Sequence, residues 1–257
     1  MRNGGKGESD RDFMTSLARG LTVMQTFSEH RRQLTVSQIS AQTGISRAAV
    51  RRCLHTLVQL GFAGSQDQQH FFLSPKILSL GHASSSAPLA KIAQPVLEHL
   101  SGVLHESSSV ATLGEFDVIY IARAAVSRIM SIDLKVGSRL PAFCTSMGRV
   151  LLANLRAEQL ETYFRHVGLT RYTERTIVSA AQLRRILEGV KRNGYAIVDQ
   201  ELEIGLRSLA VPIRTSAGLV VAALNVGCHA QRINIRELQS AFLPRLRQAA
   251  LEIGPLL

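Results

Sequence analysis

The stretch TVSQISAQTGISRAAVRRCLHTLVQLGF, residues 35–62, leaves its backbone little choice. Thr35 and Gln38 have the spacing of a capping box, in which a hydroxyl and an amide satisfy orphan N–H groups at a helix start. Leu34 and Ile39 are placed to staple the entering chain. Gly44 can take the left-handed conformation that ends a helix, because it has no Cβ to clash. Ile45 alone separates it from Ser46, where another helix opens with Val50, Cys53, Leu54, Leu57 and Leu60 on its apolar side. Ser46, Arg47, Ala48, Arg51, Arg52 and His55 are left pointing outward. Before this stretch, SLARGLTVMQTF sets Leu17, Leu21, Met24 and Phe27 at helical spacing. After it, GFAGSQDQQHFFLSP reads as two short strands around a polar turn.

Two helices joined by a glycine turn, the second with arginines clustered near its start and a β-wing behind it, have the layout of a winged helix-turn-helix. Ser40 is small enough for the helices to cross. The candidate DNA contacts are Thr35, Ser46, Arg47, Ala48, Arg51, Arg52 and His55. Arg51 is placed for a bidentate guanine contact and Arg52 and Thr35 for phosphate. The wing offers only His70 as a possible cation. The alternative is a three-helix protein-interaction module with a solvated basic face.

Composition agrees without deciding. At 257 residues and 46% hydrophobic content, the chain can bury at least one good core, and its net charge of +11 favours an anionic partner. No apolar run approaches the roughly 18 residues that span a bilayer, and the polar start MRNGGKGESDRDF lacks the apolar stretch of a signal peptide. A soluble, cytoplasmic protein with no membrane partner is expected. Cys53, Cys144 and Cys228 are scattered, so reduced, mostly buried thiols are expected in place of a disulfide framework. The histidines form no HExxH or HxxxH pair, so neither a metal nor a cofactor is indicated.

Four segments follow: a disordered tail at 1–14, a DNA-binding domain at 15–75, a linker at 76–93 and a second domain at 94–257. Helical spacing from Leu89 to Leu100 continues past Pro95, which should kink or reset it. SVATLGE and VIYIAR read as a hairpin, RIMSIDL as a third strand, and YAIVDQ, RSLAVPI and LVVAALNVG as three more. Helices are expected at about 146–154, 158–165, 179–193 and 234–253. Strands grouped at both ends of a set of helices, without βαβ alternation, indicate an α+β domain around an antiparallel sheet.

Small-molecule chemistry concentrates in LPAFCTSMGRVLLA. Thr145 or Ser146 can cap a helix whose first N–H groups would make an anion site, or the segment is simply a capped helix. Enzymatic readings are weaker. CTSMG lacks the first glycine of GxSxG, and nothing near Cys144 in sequence would activate its thiol towards His166 or His229. Asp199, Glu201 and Glu203 would share one face at strand spacing, as paired acids or as a solvated edge.

From Ser16 to Leu257 the chain resembles the isocitrate-lyase-regulator (IclR) family of bacterial transcription factors. The resemblance rests on the helix-turn-helix ending LHTLVQLGF, on VGSRLPAFCTSMGRVLLA and on GYAIVDQELEIGLRSLAVPIRTSAGLVVAALNVG. SLARGLTVMQTF and VDQELEIGLRSLAVPI are most similar to its β-ketoadipate pathway regulators, which respond to protocatechuate, para-hydroxybenzoate or β-ketoadipate. The resemblance implies a winged helix-turn-helix, a linker helix that helps dimerise it, and a GAF-like effector domain that can pair dimers into tetramers. It also implies carboxylate binding by the main-chain N–H groups of Ser146 and Met147. Apolar walls would come from Ile129, Ile132 and Leu140, and polar contacts from Val198, Ser208, Asn225 and Gly227. Val198 replaces an aspartate, and Gly227 a serine, of members that bind small oxoacids, which makes the site less polar and suits an aromatic acid better than glyoxylate or pyruvate. The expected protein is a ligand-responsive regulator of operator DNA, working as a homodimer or dimer of dimers without catalytic activity. Its rival is a GAF-like enzyme or carrier with a tethered basic domain.

Overall fold

The computed structural model describes residues 12–27, 33–67, 69–77, 80, 87–126 and 134–257. The chain divides into two compact units, Met1–Ser84 and Ser85–Leu257.

In the first unit, α1 (Thr15–Gln25) precedes β1 (Leu34–Thr35), α2 (Val36–Thr43), α3 (Arg47–Gln59), β2 (Ala63–Ser65) and β3 (His70–Leu73). The capping box is formed: the Thr35 N–H donates to Gln38 Oε1 at 2.8 Å, and the Gln38 N–H to Thr35 Oγ1 at 3.3 Å. Gly44 ends α2 with φ of +70°, and Ser40 Oγ donates to the Ile45 carbonyl at 2.7 Å, tying the turn to the helix before it. Ser46 caps α3 through the Ala49 N–H. Val23, Leu34, Ile39, Val50, Leu54, Leu57 and Ala63 make the core. The wing is an antiparallel sheet in the order β1-β3-β2, so Leu34 and Thr35 supply a third strand that the sequence did not suggest.

One apolar stripe divides between core and solvent. Of the residues at helical spacing in α1, Leu17 and Leu21 are 58% and 49% exposed, and Val23, which is outside that spacing, is the residue buried against α3. Val23 lies about 200° around the helix from Leu21, so one α1 cannot turn both toward one core. Met24 and Phe27 are half-buried at the boundary.

The second unit is a three-layer α+β domain. Its six-stranded antiparallel sheet runs β6-β5-β4-β9-β8-β7, from β4 (Ser107–Leu113), β5 (Asp117–Ala124), β6 (Arg139–Pro141), β7 (Ala196–Asp199), β8 (Leu206–Arg214) and β9 (Val220–His229). One face packs on α4 (Ala87–Leu104) and on the C-terminal α8 (Leu243–Ile253), with Leu97, Leu224 and Leu246 fully buried between them. The other face is covered by α5 (Ser146–Ala153), α6 (Ala157–His166) and α7 (Ala180–Asn193), around Phe143, Met147 and Leu183. Alanines at 111, 210 and 223 keep that face flat enough for a helix to approach.

Several expectations shift. Pro95 lies inside α4 without ending it, and Leu89 and Ala93 are already core residues, so the second unit starts at Ser85 and not at 94. RIMSIDL lies almost wholly outside the described residues. The strand beside β5 is Arg139–Pro141, which pairs with Asp117–Ile119. The final helix is not uniform either: Ile235–Glu237 leads into a π-helical turn, Leu238–Phe242, before α8. Pro244, in the first turn of α8, has no N–H to continue a regular ladder, which fits the wider turn before it.

Candidate functional site

Two sites emerge, one on each unit. On the first, Arg47, Ala48, Arg51, Arg52, His55 and Thr56 form the exposed side of α3, with Val50, Leu54 and Leu57 buried opposite. Ala48, Arg51, Arg52, His55 and Thr56 border a shallow hollow on this side. Arg51 and Arg47 lie one turn apart, on a helix capped by Ser46 and without an acidic residue in its first turn. Thr35 sits differently. Its hydroxyl and N–H are both committed to the capping box, so its side chain has no donor left over for a phosphate. In the wing, His70 is held by Asp67 at 2.6 Å, and the Asp67 carboxylate also accepts the N–H groups of Gln69 and His70. The one candidate cation of the wing thus already faces a carboxylate.

On the second unit, a cavity of about 1160 Å³ opens on the sheet face beside α5. The sheet register explains its floor. Ser107, Gly227, Ser208 and Val198 pair in a single row across β4, β9, β8 and β7, and all four line the cavity. Asn225, two residues back along β9, pairs with Ser109. On β5 the alternation is reset. Val110 pairs with Ala122 and Ala111 with Tyr120, so Ile121 is an extra residue in the ladder. Because a bulge shifts the side-chain alternation by one, Tyr120 and Arg123 both reach the cavity although they are three apart, while Ala122 and Ala124 join the core of the opposite face. Arg123 Nη1 donates to Ser109 Oγ at 3.0 Å.

The wall comes from the start of α5. Thr145 caps that helix through the Gly148 N–H, which leaves Ser146 and Met147 as its first two residues, with no carbonyl one turn earlier in the helix to accept their N–H groups. Gly148 is required there, since a Cβ would lie 2.0 Å from the Ala142 carbonyl oxygen. The Ser146 hydroxyl and Asn225 Oδ1 are buried and have no hydrogen-bond partner among the described residues. Buried polar atoms are almost always partnered, so two orphans lining one cavity mark where a polar ligand would bind.

The ionisable groups around the cavity are tuned by burial. Burial pushes the Cys144 and Cys228 thiols up to about 12, with the Glu201 charge adding to the effect on Cys144, so neither is a nucleophile near neutral pH. Burial likewise pushes the Tyr120 phenol up to about 12, which keeps it a neutral hydrogen-bond donor. Among the described residues no three His, Cys, Asp or Glu side chains could together hold a metal.

Of the residues expected in this site, Leu140, Ser146, Val198, Ser208, Asn225 and Gly227 line the cavity. Met147 does not: its side chain is buried in the core beneath α5, so only its N–H is suitably placed. Ile129 and Ile132 lie outside the described residues. Tyr120, Arg123 and the segment Leu202–Leu206 also line the cavity and were not expected. A bulge cannot be read from alternation alone, and Gly205 was the only local sign of the 202–206 turn. Asp199, Glu201 and Glu203 do not share a face, because Gln200 at φ of +62° breaks the strand. Asp199 pairs with Arg207 and Arg175, Glu201 is buried on Arg149, and Glu203 is exposed.

Comparison with known proteins fits both units. A family model described as the IclR helix-turn-helix domain matches residues 16–67, and one described as the bacterial transcriptional regulator IclR C-terminal domain matches residues 81–254. The Pca regulon regulatory protein of Pseudomonas putida is 52% identical over 246 residues, covering 95% of this chain and 84% of its own length. The p-hydroxybenzoate hydroxylase transcriptional activator of Acinetobacter baylyi is 35% identical, covering 94% of this chain and 91% of its own. The crystal structure of an IclR homologue complexed with 4-hydroxybenzoate, from Microbacterium hydrocarbonoxydans, superposes with a TM-score of 0.81 at 26% identity, covering 93% of this chain and 98% of that one. With family models spanning both units and relatives alike over nearly its whole length, this chain belongs to the IclR family of bacterial transcriptional regulators.

Proposed function

We propose that the protein senses an aromatic-acid catabolic intermediate, such as protocatechuate, para-hydroxybenzoate or β-ketoadipate, and adjusts its hold on operator DNA in response. The observation that carries this reading is the cavity beside α5, where two orphaned buried polar atoms and a helix N-terminus meet an apolar wall. A carboxylate rests on the N–H groups of Ser146 and Met147, where the helix dipole favours negative charge without a buried lysine. Leu134, Leu140 and Val198 accept the ring or chain, and Ser208 and Asn225 bond a hydroxyl or keto oxygen at its far end. The likeness to a Pca regulon regulatory protein of Pseudomonas, to the p-hydroxybenzoate hydroxylase transcriptional activator of Acinetobacter and to a Microbacterium homologue complexed with 4-hydroxybenzoate supports the ligand class.

Val198 and Gly227 set the ligand size. A Cβ on Gly227 would meet only Leu206 Cδ1, at 3.9 Å, so the space a serine would fill is open. Titration calorimetry with glyoxylate, pyruvate and the three pathway acids tests this. Wild type should bind a pathway acid, and Val198→Asp should weaken that binding about tenfold or more by burying a carboxylate against the ligand. Tight wild-type binding of glyoxylate, and of none of the pathway acids, would overturn the ligand assignment.

The protein acts as a sensor and not as an enzyme, so the acid is recovered unchanged after incubation. It works in the cytoplasm, where the operator is, and as a dimer or dimer of dimers, because one recognition helix reads too few base pairs for a genomic site. The exposed Leu17 and Leu21 of α1 supply an apolar contact surface for a second copy. Sedimentation should show a dimer or larger at micromolar concentration. A monomer that binds a half-site as tightly as a full operator would refute this.

A further inference from the structure

Arg149, on α5, and Glu201, just beyond β7, form an ion pair at 2.6 Å with side chains only 3% and 7% exposed. A buried pair of this kind gains little stability over well-packed apolar residues, because desolvating two charges offsets their attraction. Its bonds are directional, however, and here they reach both walls of the cavity. Arg149 Nε donates to the Phe143 carbonyl at 2.9 Å, which fixes the turn that presents Cys144, Thr145 and Ser146. Glu201 begins the segment that supplies Leu202–Leu206, and its Oε2 also accepts the Ile177 N–H at 3.1 Å. The Thr173 and Thr176 hydroxyls donate to the Glu201 carbonyl, and the Tyr172 ring lies 6.2 Å from that of Phe143. The contacts close a loop through the start of α5, residues 172–177 and residues 201–206.

We propose that the Arg149–Glu201 pair is a positioning strut for the effector site, holding the amide pole of α5 at a fixed distance from the 202–206 wall. Effector affinity depends on it although neither side chain lines the cavity. The inference rests on the effector reading for its ligand, but not for its geometry.

The test uses full-length protein and the double variant Arg149→Met/Glu201→Leu beside each single variant. Each single variant leaves one buried charge uncompensated and should lose thermal stability; the double variant should regain most of it. If the pair positions the walls, the double variant should still bind para-hydroxybenzoate or protocatechuate about tenfold more weakly than wild type while keeping its operator affinity. Cys144 gives a readout that needs no effector. Peptide mapping after brief iodoacetamide treatment should show it protected in wild type and labelled about tenfold faster in the refolded double variant. Arg149→Lys, which keeps the charge but loses the bond to Phe143, should fall between. Wild-type Cys144 protection in the double variant, together with wild-type effector affinity, would overturn the strut. If wild type bound no pathway acid and the double variant still exposed Cys144, the effector reading would fail and the strut would stand.

Discussion

The two units put their chemistry on opposite kinds of surface. The first displays arginines on the solvated side of α3, where the side chains the candidate site needs are not those that hold the fold together. The second hides its chemistry in a concavity beside α5, where the same backbone forms both the core and the site. Affinity and stability should therefore separate under mutation in the first unit, whereas in the second a change to the shared backbone should move them together.

The largest effect is expected where that overlap is tightest. Gly148 sits in the first turn of α5 with the Ala142 backbone against its Cα, so Gly148→Ala forces a methyl to 2.0 Å from a carbonyl oxygen. Backbone cannot yield as a side-chain tip does, and the cost should be at least about 3 kcal/mol, beyond the usual range for overpacking. Thermal denaturation and effector titration should fall together, since moving the turn also moves the N–H groups of Ser146 and Met147. A Gly148→Ala protein with wild-type stability and impaired effector binding would show that this turn and the core are separable.

Arg51→Ala is the counterpart in the first unit. It should cost about 1–3 kcal/mol of operator affinity and relax base preference at one position per half-site. The melting midpoint should stay near wild type, because Arg51 is exposed and supports no buried group. Arg52→Ala should weaken all sequences alike and flatten the salt dependence, as loss of a phosphate contact does. If Arg51→Ala left operator affinity and base preference unchanged, α3 would not lie in the major groove as inferred. A matching loss of stability would instead blur the contrast between the units.

The same contrast governs what could be read from the sequence. In the first unit each structural instruction is local: the Thr35–Gln38 box, the left-handed Gly44 and the Ser46 cap act over three or four residues, and all three are present. The α1 spacing gave a face but not its partner: Met24 and Phe27 pack on the core, while Leu17 and Leu21 are exposed. In the second unit the capped α5 and the β7–β9 strands were legible for the same local reason. The cavity was less so, because its floor depends on register across four strands and on an extra residue, Ile121, that re-aims Arg123. The Arg149–Glu201 pair joins residues 52 apart in sequence, and no short-range pattern announces it.

The smallest effect belongs to the wing, and it limits how far the first unit's separation extends. Asp67 accepts the N–H groups of His70 and Gln69 and faces the His70 ring, and the backbone bond from His70, more than any other contact, holds its carboxyl well below the usual carboxylate range. A depressed folded-state value means that the ionised carboxylate favours the folded turn at every pH above the unfolded value of about 3.9, and that this support is lost as pH falls through the lower folded value. From neutral pH down to about 4 the Asp67 carboxyl should keep its charge, and with it its bonds to the Gln69 and His70 N–H groups. Because Asp67 is exposed, its loss should barely move global stability. It should act on the wing alone. Asp67→Asn would remove the charge facing His70, leaving the ring available to a phosphate while loosening the turn that carries it, and these effects oppose each other. Operator affinity should therefore change by no more than about threefold, well short of Arg51→Ala. A carbon-detected titration of the Asp67 carboxyl gives the direct check. A midpoint in the ordinary carboxylate range would mean that the turn bonds are not held in solution. A loss of operator affinity as large as that of Arg51→Ala would move the wing from a minor contact to a principal one.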